Sequence, residues 1–152
     1  MYEFHRARHD ALYADYVLYS PDVPVFRGDD GSLLEEPYCV AMITSPAVNA
    51  GPPLQYQPHR RAEIRPAMWT RILKVLSAGV THGHDAMVLG AWGCGAFGND
   101  PTEIAELFRQ ALDANFRGTF RRVAFAVLDW SPDQRTIGPY QESFRTQRGR
   151  SR

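Results

Sequence analysis

The stretch Ala86-Met87-Val88-Leu89-Gly90-Ala91-Trp92-Gly93-Cys94-Gly95-Ala96-Phe97-Gly98-Asn99-Asp100-Pro101 decides the fold. It divides into an apolar strand, a glycine-dense loop and the start of a helix. Ala86 to Ala91 is an apolar run of the kind buried in a sheet covered on both faces. Gly90, Gly93, Gly95 and Gly98 then allow backbone angles and close approaches that a side chain forbids. Asn99 or Asp100 is expected to cap the helix, Pro101 suits its first turn, and Asp100 with Glu103 has capping-box spacing. A strand that feeds a glycine loop ending on a helix N-terminus offers free N–H groups and a positive dipole end to an anion. The loop is therefore expected to cradle a phosphate or diphosphate, and a tight βα connection without a ligand is the plainer alternative. Gly93-x-Gly95-x-x-Gly98 also has the spacing of a dinucleotide fingerprint. That fingerprint opens the first βαβ unit and needs an acid about 20 residues on. Here one further strand follows and its acid, Asp129, lies too far downstream, so a nicotinamide site is not expected.

The 152 residues suit one domain, and their 44% hydrophobic and 22% charged composition is that of an ordinary globular chain. Seventeen basic and seventeen acidic side chains balance, so net charge does not mark a nucleic-acid binder. Arg145, Arg148, Arg150 and Arg152 crowd the end, and residues 141–152 are expected to be a disordered tail after a domain of residues 1–140. No apolar run is long enough to span a membrane, and the first residues are not a signal peptide. Two cysteines, Cys39 and Cys94, fit no zinc motif and point to a reducing cytoplasm. Cys94 lies near a helix N-terminus that lowers a thiol pKa, but no His is patterned to serve it as a nucleophile.

Residues 2–14 read as a short helix that places His5 and His9 on one face; without a third ligand no metal site is expected. Tyr16–Tyr19 and Val25–Arg27 read as strand, with turns at Ser20–Pro24 and Gly28–Gly31. Tyr38–Thr44 is apolar throughout and reads as a central strand. Asn49 lies just past its end, where it either reads a ribose or base or caps the turn. Residues 51–65 form a Pro-, Gln- and Arg-rich loop whose Arg60, Arg61 and Arg65 are either solvated or meet phosphate. A helix from Pro66 carries Met68, Ile72, Val75 and Leu76 on one face and closes at Gly79. His82-Gly83-His84-Asp85 is a turn and a weak metal candidate. Ile104, Phe108, Ala111, Leu112 and Phe116 mark the core face of the next helix, and Val123–Leu128 the last strand. Trp130 beyond it either stacks on a base or covers the core edge. The order strand, strand, helix, strand, helix, strand implies an α/β fold with a mixed sheet.

Three segments, Tyr16–Phe26, Ile43–Gly51 and Leu89–Pro101, together resemble motifs of the microbial poly(ADP-ribose) glycohydrolases, a branch of the macrodomain fold, and the resemblance runs to about Tyr140. It implies a three-layer α/β/α sandwich, N-terminally truncated, that binds ADP-ribose or an ADP-ribosylated macromolecule at the C-terminal edge of its sheet. Gly93, Cys94, Gly95, Ala96, Phe97 and Gly98 would wrap the diphosphate, with Phe97 against the distal ribose, and Asn49 joins them as a ligand-binding candidate. No cofactor or metal is implied. The family's catalytic signature, a triple glycine followed by Gln-Glu-Glu, is absent from these 152 residues, and Glu35-Glu36 lacks the glycine loop that would make it a replacement. No catalytic residue is therefore assigned. Two functions follow as expectations: a module that binds ADP-ribose without hydrolysis, or a glycohydrolase whose acid comes from a second chain or from upstream sequence. A missing strand would leave a bare sheet edge, to be covered by a homodimer or a partner chain.

Overall fold

A computed structural model describes residues 10–51 and 57–145. The first strand, β1 (Leu18–Arg27), folds back as a hairpin on β2 (Leu33–Thr44). A short 3-10 helix (Pro58–Glu63) leads into α1 (Ile64–Thr81). Then follow β3 (Ala86–Leu89), α2 (Pro101–Ala114), β4 (Arg122–Phe125) and α3 (Ile137–Ser143). The class is α/β, as the sequence implies. Among the described residues the strands form two ladders. β1 and β2 pair antiparallel, Leu18 opposite Thr44 and Val25 opposite Tyr38, while β3 and β4 pair parallel, Ala86 opposite Arg122 and Leu89 opposite Phe125. A parallel pair needs a crossover, and α2 supplies it.

The core lies where α1 and α2 pack on β3 and β4. Met68, Ile72 and Leu76 of α1 meet Ile104, Phe108 and Ala111 of α2, all fully or almost fully buried. Phe125 of β4 is walled by aromatic rings: Phe108 edge-on at 5.4 Å, Tyr140 at 5.2 Å and Phe144 at 4.5 Å. The last two come from α3 and its end. The helix runs past residue 140 to Ser143, so the described part of the expected tail is structured; Arg148, Arg150 and Arg152 lie outside the described residues.

Several expectations are corrected. Ala86–Leu89 is not covered on both faces: Met87 and Leu89 pack on the core, whereas Val88 points away and is 75% exposed. Among the described residues Tyr38–Thr44 is not a central strand, since β2 pairs there only with β1 and most of its side chains are exposed. An apolar run records the burial a strand is suited to; whether a layer covers it depends on the rest of the fold. Gly79 does not close α1 but sits buried inside it, because a Cβ there would stand 2.9 Å from Met87 Sδ. The helix ends two residues later in a Schellman arrangement, with Gly83 at φ +75° and the His84 N–H donating to Gly79 O at 3.0 Å. Residues 10–14 are a turn, not part of a helix. Asp10 Oδ1 accepts from the Leu12 N–H at 2.9 Å, and the buried Arg71 guanidinium takes the carbonyls of Leu12 and Tyr13, which a helix would need for itself. His5 and His9 lie outside the described residues.

Candidate functional site

In a parallel pair the connections after β3 and β4 leave from the same sheet edge. The glycine loop, residues 90–98, therefore shares that edge with the segment after β4. The four glycines have different reasons to be glycine. Gly93 is at φ +76°, and a Cβ would meet Asn99 Nδ2 at 2.4 Å and Ala47 Cβ at 2.7 Å, so the fold excludes any side chain there. Gly98 is at φ +64° against the backbone of Gly51. Gly90 has ordinary space, 3.5 Å to Ala126 O. Gly95 is different: it is exposed, its φ is not in the left-handed region, and nothing lies within 4 Å of where a Cβ would be. The fold makes no demand for glycine at that position.

The loop is closed by Cys94 N–H to Ala91 O at 3.1 Å, Gly98 N–H to Gly95 O at 2.9 Å and Asn99 N–H to Gly93 O at 3.0 Å. Between these, the N–H groups of Gly95, Ala96 and Phe97 donate to no acceptor among the described residues. Three successive open donors on a glycine loop are chemically able to receive an anion. The helix N-terminus contributes less than its position suggests. Asp100 is the cap, its Oδ1 taking the Thr102 N–H at 2.8 Å, so an acid already occupies the first turn. The expected capping box does not form, because Glu103 instead pairs with Arg65 at 3.2 Å.

The loop after β2 packs directly on this cradle. A Cβ on Gly51 would stand 3.6 Å from Ala96 O and 3.8 Å from Phe97 O. Asn49, half-buried, lies in that loop; its Oδ1 accepts from the Gly51 N–H at 3.3 Å, so its carbonyl caps the turn, while its Nδ2 has no partner among the described residues. The structure thus brings Asn49, Gly93, Cys94, Gly95, Ala96, Phe97 and Gly98 together at one edge. Two residues that sequence reading missed complete the arrangement. Tyr13, in the left-handed region at φ 55°, stacks on Phe97 at 5.9 Å and 28°. Asn99, 5% exposed, is not a cap: its Nδ2 donates to Val48 O at 2.7 Å and to Gly93 O at 3.1 Å. Neither role leaves a local sequence signal, because both partners are distant in the chain.

The remaining candidates sort clearly. The Cys94 thiol is half-buried and, chiefly through that burial, its pKa is pushed up to about 11, opposite to the lowering its position suggests. It is a wall of the loop and carries no thiolate near neutral pH. Arg60 is held by Asp10 at 2.8 Å and Glu63 at 3.1 Å, so neither it nor the paired Arg65 is offered to a phosphate. Trp130 is 86% exposed beside an open cleft of about 690 Å³ past β4 and does not cover the core. Asp129, at the mouth of that cleft, accepts from Ser131 N–H and Oγ–H, Thr136 N–H and Ile137 N–H, which fixes the turn into α3. No cluster of metal-ligating side chains occurs among the described residues, and none of their helices is long and apolar enough to cross a membrane.

Residues 1–28 match the family model of the microbial-type PARG catalytic domain. The poly(ADP-ribose) glycohydrolase of Deinococcus radiodurans, solved in complex with ADP-ribose, superposes with a TM-score of 0.90 at 42% identity over 95% of this chain. The chain is thus similar in sequence and fold to bacterial poly(ADP-ribose) glycohydrolases over most of its length. That of Thermomonospora curvata, bound to the inhibitor ADP-HPD, superposes with a TM-score of 0.85 at 46% identity over 94% of the chain. No curated protein matches. The chain spans 58% of the Deinococcus glycohydrolase and 54% of the Thermomonospora one.

Proposed function

We propose that the chain binds ADP-ribose, free or attached to a macromolecule, with its diphosphate on the loop Gly93–Gly98. The observation that carries this reading is Gly95: an exposed glycine that the fold does not require, set among three open backbone donors. A ligand oxygen drawn close to the backbone accounts for it. Phe97, backed by Tyr13, forms the wall for the distal ribose, and the free Nδ2 of Asn49 meets a ligand hydroxyl or base from the neighbouring loop. The complexes of related glycohydrolases with ADP-ribose support the choice of ligand. Two free cysteines support a cytoplasmic setting. Thermal denaturation with added ADP-ribose, ADP or ribose 5-phosphate tests the reading. ADP-ribose should raise the midpoint most, ADP less, and the monophosphate least; equal or absent shifts would contradict it.

A second reading, glycohydrolysis, is favoured by one specific feature. Val88, Leu128, Leu18, Leu33 and Tyr38 are exposed, and the chain spans little more than half of each related enzyme. In this reading a further polypeptide covers the bare strand faces and brings the general acid that these residues do not supply. Poly(ADP-ribose) incubated with the 152-residue chain should then release no ADP-ribose, and release should begin when the segment corresponding to the rest of a related enzyme is added. Release by the chain alone would place the acid within it.

A further inference from the structure

Two loops build the proposed site, one after β2 (residues 45–51) and one after β3 (residues 90–98), and no ladder hydrogen bond ties them together. One side chain, however, hydrogen-bonds to both. The Asn99 amide is 95% buried, and its Nδ2 donates to Val48 O, next to Asn49, and to Gly93 O, at the entrance of the cradle. Its Oδ1 is also buried and has no partner among the described residues, so the whole bonding role of the amide passes through Nδ2. The opposite amide orientation would set Oδ1 against two carbonyl oxygens, which fixes the one seen here. Gly93 belongs to the same device: its Cα is so close to Nδ2 that a Cβ would stand 2.4 Å away.

We propose that Asn99 is a positioning residue for ligand binding, a clamp that sets the separation of the Asn49 loop from the diphosphate cradle without itself touching the ligand. This rests on the ADP-ribose reading above and extends it to a residue outside the contact surface. An aspartate at position 99 has the same shape but, when ionised, faces two carbonyl oxygens with a negative charge. When protonated, its O–H again donates to Val48 O. The clamp in that variant is therefore closed at low pH and opens as pH rises through the carboxyl's pKa, which the facing carbonyls raise. The titratable neighbours, Cys94 and Asp100, are present in both proteins, so the parent's own pH profile accounts for them.

The test is the ADP-ribose affinity of parent and Asn99→Asp at about pH 8 and about pH 5, with circular dichroism to follow folding. The variant should bind about tenfold more weakly than the parent at the higher pH and recover most of that on acidification, while the parent changes little. A folded variant that binds like the parent at both pH values overturns the clamp. If Asn99→Asp unfolds at high pH, Asn99→Ala decides: folded with weakened binding supports the clamp, folded with parent affinity overturns it. A parent that fails to bind overturns the ligand reading, and the clamp with it; an indifferent variant of a binding parent overturns the clamp alone.

Discussion

At the residue scale, the glycine loop separates what the fold requires from what it leaves free. Gly93→Ala must place a Cβ into Asn99 and Ala47 from a left-handed backbone, so it should lower stability by about 2 kcal/mol or more in urea unfolding. Gly95→Ala meets nothing and should stay within about 0.5 kcal/mol of the parent. Equal losses at the two positions would contradict the assignment of Gly95 to ligand approach. Cys94 gives an independent check on the loop's interior. With its pKa pushed up to about 11, it should alkylate far more slowly than the exposed Cys39 at neutral pH, as mass spectrometry of iodoacetamide-treated protein would show. Faster labelling of Cys94 would mean an open, electropositive loop. The donor-rich character of the loop was legible from its glycines because a glycine's freedom is local. Asn99 and Tyr13 were not legible, since Val48 O lies 51 residues from Asn99 and a positive φ at Tyr13 has no signature in its neighbours.

At the element scale, the helices announced themselves, as did the start of α2 at Asp100 and Pro101, whereas the end of α1 did not. The period of Met68, Ile72, Val75 and Leu76 in α1, and of Ile104, Phe108 and Ala111 in α2, is the period of their buried faces. Gly79 was misread because a glycine inside a helix and a glycine ending one look alike in sequence; only its distance from Met87 tells them apart. The start of α2 rests on Asp100, and Asp100→Ala should cost about 1 kcal/mol of stability. The turn into α3 rests on Asp129, whose carboxyl is held well below the usual range, first by the Ser131 hydroxyl and then by backbone N–H groups. A depressed native pKa means that this stabilisation is full above the unfolded value of 3.8 and is lost as pH falls through the native value. Asp129→Asn should therefore melt lower than the parent at neutral pH, and the gap should narrow as the pH drops below about 4. A gap that stays constant down to acid pH would remove Asp129 from that role.

At the scale of the whole molecule, an apolar strand face and an exposed hairpin accompany a buried helical core. Val88 and Leu128 are each 75% exposed and Leu33 is 69% exposed, values more typical of an interface than of a free surface. The 152-residue chain should self-associate at about 50 µM, as sedimentation velocity would show, and disperse when Val88 and Leu128 are replaced by Lys. The α/β class could be read from the alternation of strands and helices. The exposure of β2 and of the Val88 face of β3 among the described residues could not, because an apolar strand records only the burial it is suited to. The loop after β3 is proposed to bind the diphosphate of ADP-ribose. Calorimetric titration of ADP-ribose into the parent and into Gly95→Glu tests it most directly, since that site has room for a side chain and the variant should fold. The account predicts saturable binding by the parent and none by the charged variant. Equal binding by both would place the ligand elsewhere, and no binding by a folded parent would show that these residues alone do not build the site.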